Sequence, residues 1–297
     1  MKIDLHIHTT NSDGTDSVQE IIERAIRESV DIIAFTDHDS VGAYHDLAHV
    51  TVPHGTVTVV KAVELSCSFN GDKRDMLGYG IDENVVEKFL VQSKRNIIKI
   101  QTTIMHKFAQ IVRKEGMIVD DDLELGAFPE GYLAVWQSLV RHPENLKRFP
   151  FIQQPSYFYW NYFANPKSPF YVDATGGLPT MAEAINVIHR AGGLAFLAHP
   201  FGYAYDDAQM DDFLKSAVKF GIDGVEIMNS IHAPDHVGRL ERFARDNNLF
   251  TSGGTDYHGT HKKNVEFLTG CNGNVEVTAE HIAPWIDRVA KITVGAK

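Results

Sequence analysis

Two cysteines, Cys67 and Cys271, are the only thiols in 297 residues, so neither a disulfide framework nor a cysteine-ligated metal can organise the chain. No apolar run reaches the length of a membrane span, and the opening residues Met1-Lys2-Ile3-Asp4-Leu5-His6 lack the apolar core of a secretory signal. A cytoplasmic setting is the expectation. Basic charge is also scarce: 28 Lys and Arg against 39 Asp and Glu give a formal net charge of −11, the wrong sign for a broad nucleic-acid-binding surface. Any phosphate that is bound must therefore meet a local positive feature. Internal repeats, low-complexity tracts and long charge runs are absent. With 43% apolar, 10% aromatic and 23% charged residues, the chain has the composition of a globular protein and the length for one barrel or two domains. Histidine is what the sequence does have. There are fifteen, and imidazole is the commonest metal ligand.

Short β-rich runs alternate with amphipathic helical patterns, the arrangement of βα units around a parallel sheet. Seven strands are expected, over 3–5, 32–36, 57–63, 76–81, 194–198, 225–228 and, more weakly, 250–253. A helix over 17–29 carries Val18, Ile21, Ile22, Ala25 and Ile26 on one face, and Ser17 with Glu20 fits a capping box, as does Thr180 with Glu183. A closed or nearly closed α/β barrel suits this order better than two packed sheets. The alternation breaks between 83 and 179, where a long helical stripe (Ile97, Ile100, Ile104, Phe108, Val112) leads into an irregular segment with ten aromatic residues from Phe149 to Tyr171. The reading is a barrel over 1–82 and 180–297 and a mostly helical insertion over 83–179 that covers the barrel mouth. The aromatics are more simply the insertion's own small core than a base-stacking platform.

Ionisable residues collect where strands end, the position at which parallel barrels place reactive groups. His6 and His8 end the first strand two residues apart, hence on one side, and Asp13 follows. His38 ends the second strand, Glu64 the third, His199 follows the 194–198 strand, and Asp256 and His258 close the last. So many like charges in one cleft would be unfavourable without cations, which argues for a multinuclear metal site. Imidazole mixed with carboxylate suits manganese, iron or zinc. Two such ions would hold the attacking and leaving oxygens of an in-line displacement at phosphorus, with a bridging hydroxide as nucleophile and His38 and Asp256 acting through it. Asp37 and Asp39 flank His38 and either orient imidazoles or serve as capping and loop residues.

The stretches Asp-Leu-His-Ile-His-Thr (4–9), Ser-Asp-Gly (12–14), Thr-Asp-His-Asp (36–39), Val-Glu-Leu-Ser (63–66), Ala-His-Pro (198–200) and Thr-Asp-Tyr-His-Gly (255–259) resemble the PHP (polymerase and histidinol phosphatase) family. The resemblance implies a distorted seven-stranded (β/α)7 barrel with two or three divalent ions bound by nine residues. Its general plan is similar to the stand-alone phosphoesterase branch that acts on nucleotides and oligonucleotides. Where many relatives have a histidine ligand, this chain has Asp75, which either binds a hard ion or is a turn residue. The implied ligand set is thus His6, His8, Asp13, His38, Glu64, Asp75, His199, Asp256 and His258. A Gly-Arg-Pro-His-like phosphate element of the nucleotide-acting relatives is replaced by Gly131-Tyr132-Leu133-Ala134-Val135-Trp136, so Arg95, Arg141 and His142 become the candidates to meet phosphate. His232, in a loop after the sixth strand, is a candidate to contact substrate or protonate a leaving oxygen, or is a surface residue.

The expected function is metal-dependent hydrolysis of a phosphate monoester or terminal phosphodiester on a small molecule, nucleotide or short single-stranded oligonucleotide. Histidinol-phosphate phosphatase is the second enzymatic reading. A non-catalytic metal-binding interaction module is a reading of another class, but it predicts lost ligands, and eight of the nine family positions are kept. A metal hydrolase of C–N bonds shares the His-x-His strand end but would want a lysine or carboxylate bridging two ions at mid-barrel, and no lysine is so placed.

Overall fold

The computed structural model describes residues 1–296 apart from 127–129, 166, 174–176 and 204, together with all of their side chains except those of 94–97, 156, 160 and 296. The chain divides into two compact units. One comprises Met1–Phe69, Lys73–Leu90 and Pro179–Lys297, the other Asn70–Asp72 and Val91–Leu178.

The first unit is built on an eight-stranded sheet: β1 (Ile3–Ile7), β2 (Ile32–Phe35), β3 (Gly55–Phe69), β4 (Asp72–Tyr79), β5 (Leu194–Leu197), β6 (Gly224–Met228), β7 (Phe250–Gly253) and β8 (Lys291–Ala296). Strands β1 to β7 lie side by side in chain order, and β8 pairs antiparallel with β3. The sheet is mixed, since β4 runs antiparallel to β5 while β1–β2–β3 and β5–β6–β7 are parallel. The mixed α/β architecture agrees with the expected distorted seven-stranded barrel, closed or nearly closed, and the structure differs from it in two respects. An eighth strand is present, and among the described residues no ladder joins β1 to β7, only an isolated bridge between Ile7 and Tyr257. The reversal before β4 has a local cause: Asn70 and Gly71 both take positive φ, the conformation of a tight hairpin turn. At the other end, Gly254 lets the chain after β7 press against β1, because a Cβ there would stand 2.3 Å from the His6 nitrogen.

Helices α1 (Val18–Arg27), α2 (Gly42–Leu47), part of α3 (Glu83–Lys114), and a later set flank this sheet in sequence. α1 forms as the periodicity predicts. Val18, Ile21, Ile22 and Ala25 are buried, and Ser17 and Glu20 satisfy each other's backbone N–H groups in a capping box. Burying apolar side chains of this size contributes about 1.5–3 kcal/mol each. Behind the sheet, Trp285 stacks on Tyr79 at 5.2 Å in a second apolar cluster with Leu5, Leu77 and Phe196.

The second unit is helical. It contains the rest of α3, then α4 (Gly131–Arg141), α5 (Pro143–Arg148) and the one-turn α6 (Pro155–Phe158). Its core sets aromatic rings among aliphatic side chains such as Ile104, Val112 and Leu139: Phe108 meets Phe163 at 4.8 Å, Tyr132 meets Phe163 at 4.7 Å, and Phe158 and Phe170 belong to the same cluster. Core packing is thus the role this structure gives those members of the aromatic segment.

Candidate metal centre

Side chains from six strands or strand ends converge in the first unit. β1 carries His6, with His8 and Asp13 just beyond it; His38 follows β2; Glu64 and Asp75 lie within β3 and β4; His199 follows β5; Asp256 and His258 follow β7. Glu64 does not end its strand, as the sequence pattern suggested, because β3 continues to Phe69. Among the described residues three ligand-type groups result, each with its donor atoms within 4.8 Å of one another: His8, Asp13, His38 and His258; His6, His8, Glu64 and Asp256; His38, Glu64 and Asp75. Glu64 is the hub. Its Oε2 lies 3.2 Å from His6 Nε2, from His8 Nε2 and from His38 Nδ1, while Oε1 lies 2.9 Å from His199 Nε2.

This concentration of charge sets the protonation of the metal-free protein. Burial pulls the His8 imidazole down, but Asp256 and Glu64 outweigh it and raise the group to about 9. His6 is likewise held well above the usual imidazole value, against burial, by Glu226, Glu64 and Asp256. His38 goes the other way: burial dominates and lowers it to about 4 despite Glu64. Burial opposes the ionised forms of Glu64 and Asp256, yet neighbouring imidazoles, with Lys262 beside Asp256, hold both carboxyls well below their ordinary range. The cluster thus needs positive charge, which protons or cations can supply.

Two candidate ligands stand in strained backbone. His199 has φ 27° and Asp256 φ 57°, as does the neighbouring loop residue Asp39 at φ 45°. Non-glycine residues seldom adopt such angles unless surrounding structure imposes them. The flanking aspartates serve the loops rather than the imidazoles. Asp37 accepts from Thr9 N–H at 2.8 Å, from Thr9 Oγ1 and from Ser12 Oγ at 2.7 Å, and Asp39 accepts the Ser66 N–H at 2.9 Å.

Sequence reasoning missed three buried or half-buried partners. Glu226, inside β6, meets His6 Nδ1 at 2.9 Å. Asp4 accepts Thr255 N–H at 2.9 Å and Thr255 Oγ1 at 2.6 Å, anchoring the Thr-Asp-Tyr-His loop to β1. Lys262 Nζ lies 2.5 Å from Asp256 Oδ2. The only sequence signal for Glu226 and Asp4 is an acidic residue in an otherwise apolar strand; Lys262 has none.

Divalent ions fit these residues. Buried side-chain atoms without a hydrogen-bond partner include both His8 nitrogens, Asp13 Oδ1, His38 Nδ1 and Asp75 Oδ1, all belonging to the candidate ligand set. Unsatisfied buried donors and acceptors are otherwise costly, by about 1–3 kcal/mol each, and a cation would engage them.

The proposed substrate-side residues are placed differently. His232 is buried, its Nδ1 2.9 Å from the Ile227 carbonyl and its Nε2 unpartnered, so it is not a surface residue. Arg141 and His142 both engage Asp120, at 2.5 and 2.9 Å, within the helical unit. Arg95 lies on α3 with its side chain outside the described residues. Cys67 is buried and unpaired, and burial pushes its thiol up.

Comparison with known proteins agrees with this geometry. The PHP domain model matches residues 4–126. A 5'-3' exoribonuclease of Haemophilus influenzae is 26% identical over 263 residues, covering 86% of this chain and 90% of that protein. A 3',5'-nucleoside bisphosphate phosphatase of Chromobacterium violaceum is 25% identical over 269 residues, covering 86% and 87%. A crystal structure from Bifidobacterium adolescentis, described as a metal-dependent phosphoesterase, superposes with a TM-score of 0.64 at 20% identity over 97% of this chain and 96% of that one, a likeness of fold. Residues 4–126 thus match the PHP domain, and the class of the chain is that of the metal-dependent phosphoric ester hydrolases. Among the described residues no helix is long and apolar enough to cross a membrane.

Proposed function

We propose that the protein hydrolyses a phosphate monoester or a terminal phosphodiester on a small molecule, nucleotide or short oligonucleotide, using two or three divalent ions of manganese, iron or zinc. The observation that carries this reading is Glu64, whose two oxygens face four imidazoles from β1, β2 and β5 and their flanking loops. His6, His8, Asp13, His38, Glu64, Asp75, His199, Asp256 and His258 would hold the ions. When bound, such ions supply Lewis acidity that lowers the pKa of a water and neutralises phosphoryl oxygens.

The chain's own residues do the positioning. Glu64 and Asp256 gather the imidazoles, and the strained backbone at His199 and Asp256 fixes the direction from which each enters. His38 and Asp256, the catalytic candidates, both approach His8: the His38 ring is 4.6 Å from the His8 ring, and Asp256 Oδ1 is 3.3 Å from His8 Nε2. Lys262 adds an ammonium group beside Asp256, a local positive feature for a phosphate oxygen in a chain of net negative charge. His232 offers an unpartnered Nε2 to a substrate hydroxyl. For Arg141 or His142 to meet phosphate, either would first have to leave Asp120.

The relatives' names, one for a diester and one for a monoester, support the breadth of this statement. The test is a panel assay on manganese-loaded protein with histidinol phosphate, nucleoside monophosphates, nucleoside bisphosphates and short RNA. Turnover of at least one ester, abolished in His8→Ala together with metal uptake, is the expected result. No turnover of any substrate, with metal content unchanged in His8→Ala, would overturn the reading; turnover of histidinol phosphate alone would replace it with the narrower one.

A further inference from the structure

We propose that Glu226 is the positioning residue of the metal centre: one buried carboxylate holds the His6 ring and the His199 main chain together, and the position demands a side chain that accepts hydrogen bonds on both oxygens. The proposal rests on the metal-centre reading above and adds a residue that is not itself in any of the ligand-type groups.

Glu226 is the middle residue of β6, Gly-Val-Glu-Ile-Met, and is fully buried. An acidic side chain there is unfavourable unless donors meet it, and three do. Oε1 lies 2.9 Å from His6 Nδ1. Oε2 accepts the His199 N–H at 2.7 Å and the Asn229 Nδ2 at 3.1 Å. Asn229, also buried, is fixed in turn through Oδ1, which accepts the Ile231 N–H at 3.2 Å. With Oε2 committed to two donors and Oε1 facing the ring, Nδ1 is the nitrogen that keeps its proton when the His6 ring gives one up to bind an ion. His6 Nε2 is then turned to Glu64 and Asp256, 3.2 and 3.5 Å away, which is the orientation a ligand needs.

The second hold is on the backbone. His199 sits at φ 27°, and its N–H bond to Glu226 helps impose that conformation while its Nε2 reaches Glu64 at 2.9 Å. Two candidate ligands from β1 and from the turn after β5 are thereby tied to one side chain on the strand beside β5.

Glutamine cannot replace this group, although it has the same size. Its single oxygen can serve His6 or the His199 N–H, not both. Placed toward His199, its NH2 faces His6 Nδ1 and favours the tautomer with the proton on Nε2, which leaves no lone pair for an ion. Placed toward His6, the NH2 opposes the His199 N–H and Asn229. Aspartate keeps two acceptors on a shorter stem.

The experiment uses the full chain stripped of metal and titrated with Mn2+ alone against a chelating indicator, with circular dichroism confirming the fold of each variant. Glu226→Gln is expected to weaken Mn2+ binding by about 10–100-fold, with Glu226→Asp recovering part of the loss. In turnover, Glu226→Gln should lower kcat at limiting Mn2+ and regain it as Mn2+ is raised, with KM for the ester unchanged. If Glu226→Gln does not fold, Asn229→Ala, which removes one donor of the three, carries the test and should weaken Mn2+ binding several-fold. Folded Glu226→Gln that binds Mn2+ within twofold of wild type overturns the proposal, as does unchanged binding by Asn229→Ala in the fallback case. Wild type that takes up Mn2+ yet cleaves no ester overturns the phosphoesterase reading while leaving this one intact. Wild type that takes up no ion overturns the metal centre and this proposal with it.

Discussion

The two units differ in what they bury beside apolar side chains. Within its apolar core the sheet unit also encloses imidazoles and carboxylates whose mutual charges set each other's protonation, whereas the helical unit buries apolar chains and rings, with Phe108, Tyr132, Phe158 and Phe163 in contact, and ion pairs such as Arg141–Asp120 and Arg113–Asp121 lie at exposed or half-exposed positions. An apolar interior stabilises through area removed from water and is indifferent to pH and divalent ions to first order. A polar interior of this kind is stable only when something neutralises it, so the stability of the sheet unit should follow metal and protons while that of the helical unit follows packing.

Metal removal should break the comparison most visibly. Chelation is expected to reduce ester hydrolysis by about 1,000-fold or more, given that metal-ion catalysis supplies several kcal/mol. Calorimetry should show the sheet unit melting earlier without metal, by a stability difference of about 2.7 kcal/mol when the ion had been present at 100 times its dissociation constant. A melt unaltered by Mn2+ would contradict the contrast between the units.

Phe108→Ala probes the other side. Truncating a fully buried ring in the aromatic cluster should cost the helical unit about 3–5 kcal/mol in denaturant titration, with bound metal per chain unchanged by elemental analysis. Asp75→Ala is a smaller change at the rim of the centre. Loss of one carboxylate should reduce affinity for one ion by about tenfold, and stoichiometry and affinity equal to wild type would identify Asp75 as a turn residue.

The mildest effect concerns pH. Bonds from Ser138, Arg141 and His142 hold the Asp120 carboxyl down at about 2, from an ordinary 3.8. Because the folded value is depressed, the stabilisation is present above the unfolded value and is lost as pH falls through the folded one. Helical-unit stability should therefore decline between roughly pH 4 and pH 2. In Asp120→Asn that part of the decline should flatten, as followed by near-ultraviolet dichroism.

The contrast also marks what could be read from the chain. Candidate ligands announce themselves because strand geometry forces regular spacings: His6 and His8 two apart, Asp256 and His258 two apart, each beside a β-rich run. Capping boxes at Ser17 and Thr180 were equally legible, being local. Glu226 was not, since a lone acid in β6 has no sequence partner and its meaning comes from residues 27 and 220 positions away. Arg141 and His142 looked available for phosphate because Asp120, their partner, lies 21 and 22 residues upstream. Strand β8 contains a glycine, Gly295, and pairs with a strand more than 200 residues earlier, so its pairing left no local trace. The reversed direction of β4 did leave one, the Asn70-Gly71 dipeptide, which the βα alternation overshadowed.

The hub at Glu64 limits how such a centre can be altered. An oxygen shared by three imidazoles cannot be exchanged without disturbing every neighbour at once, so a change there is all or nothing. Asp75 belongs to one of the three ligand-type groups, so a change there leaves the residues of the other two in place, and tuning of ion preference in a chain like this one would fall to such peripheral positions.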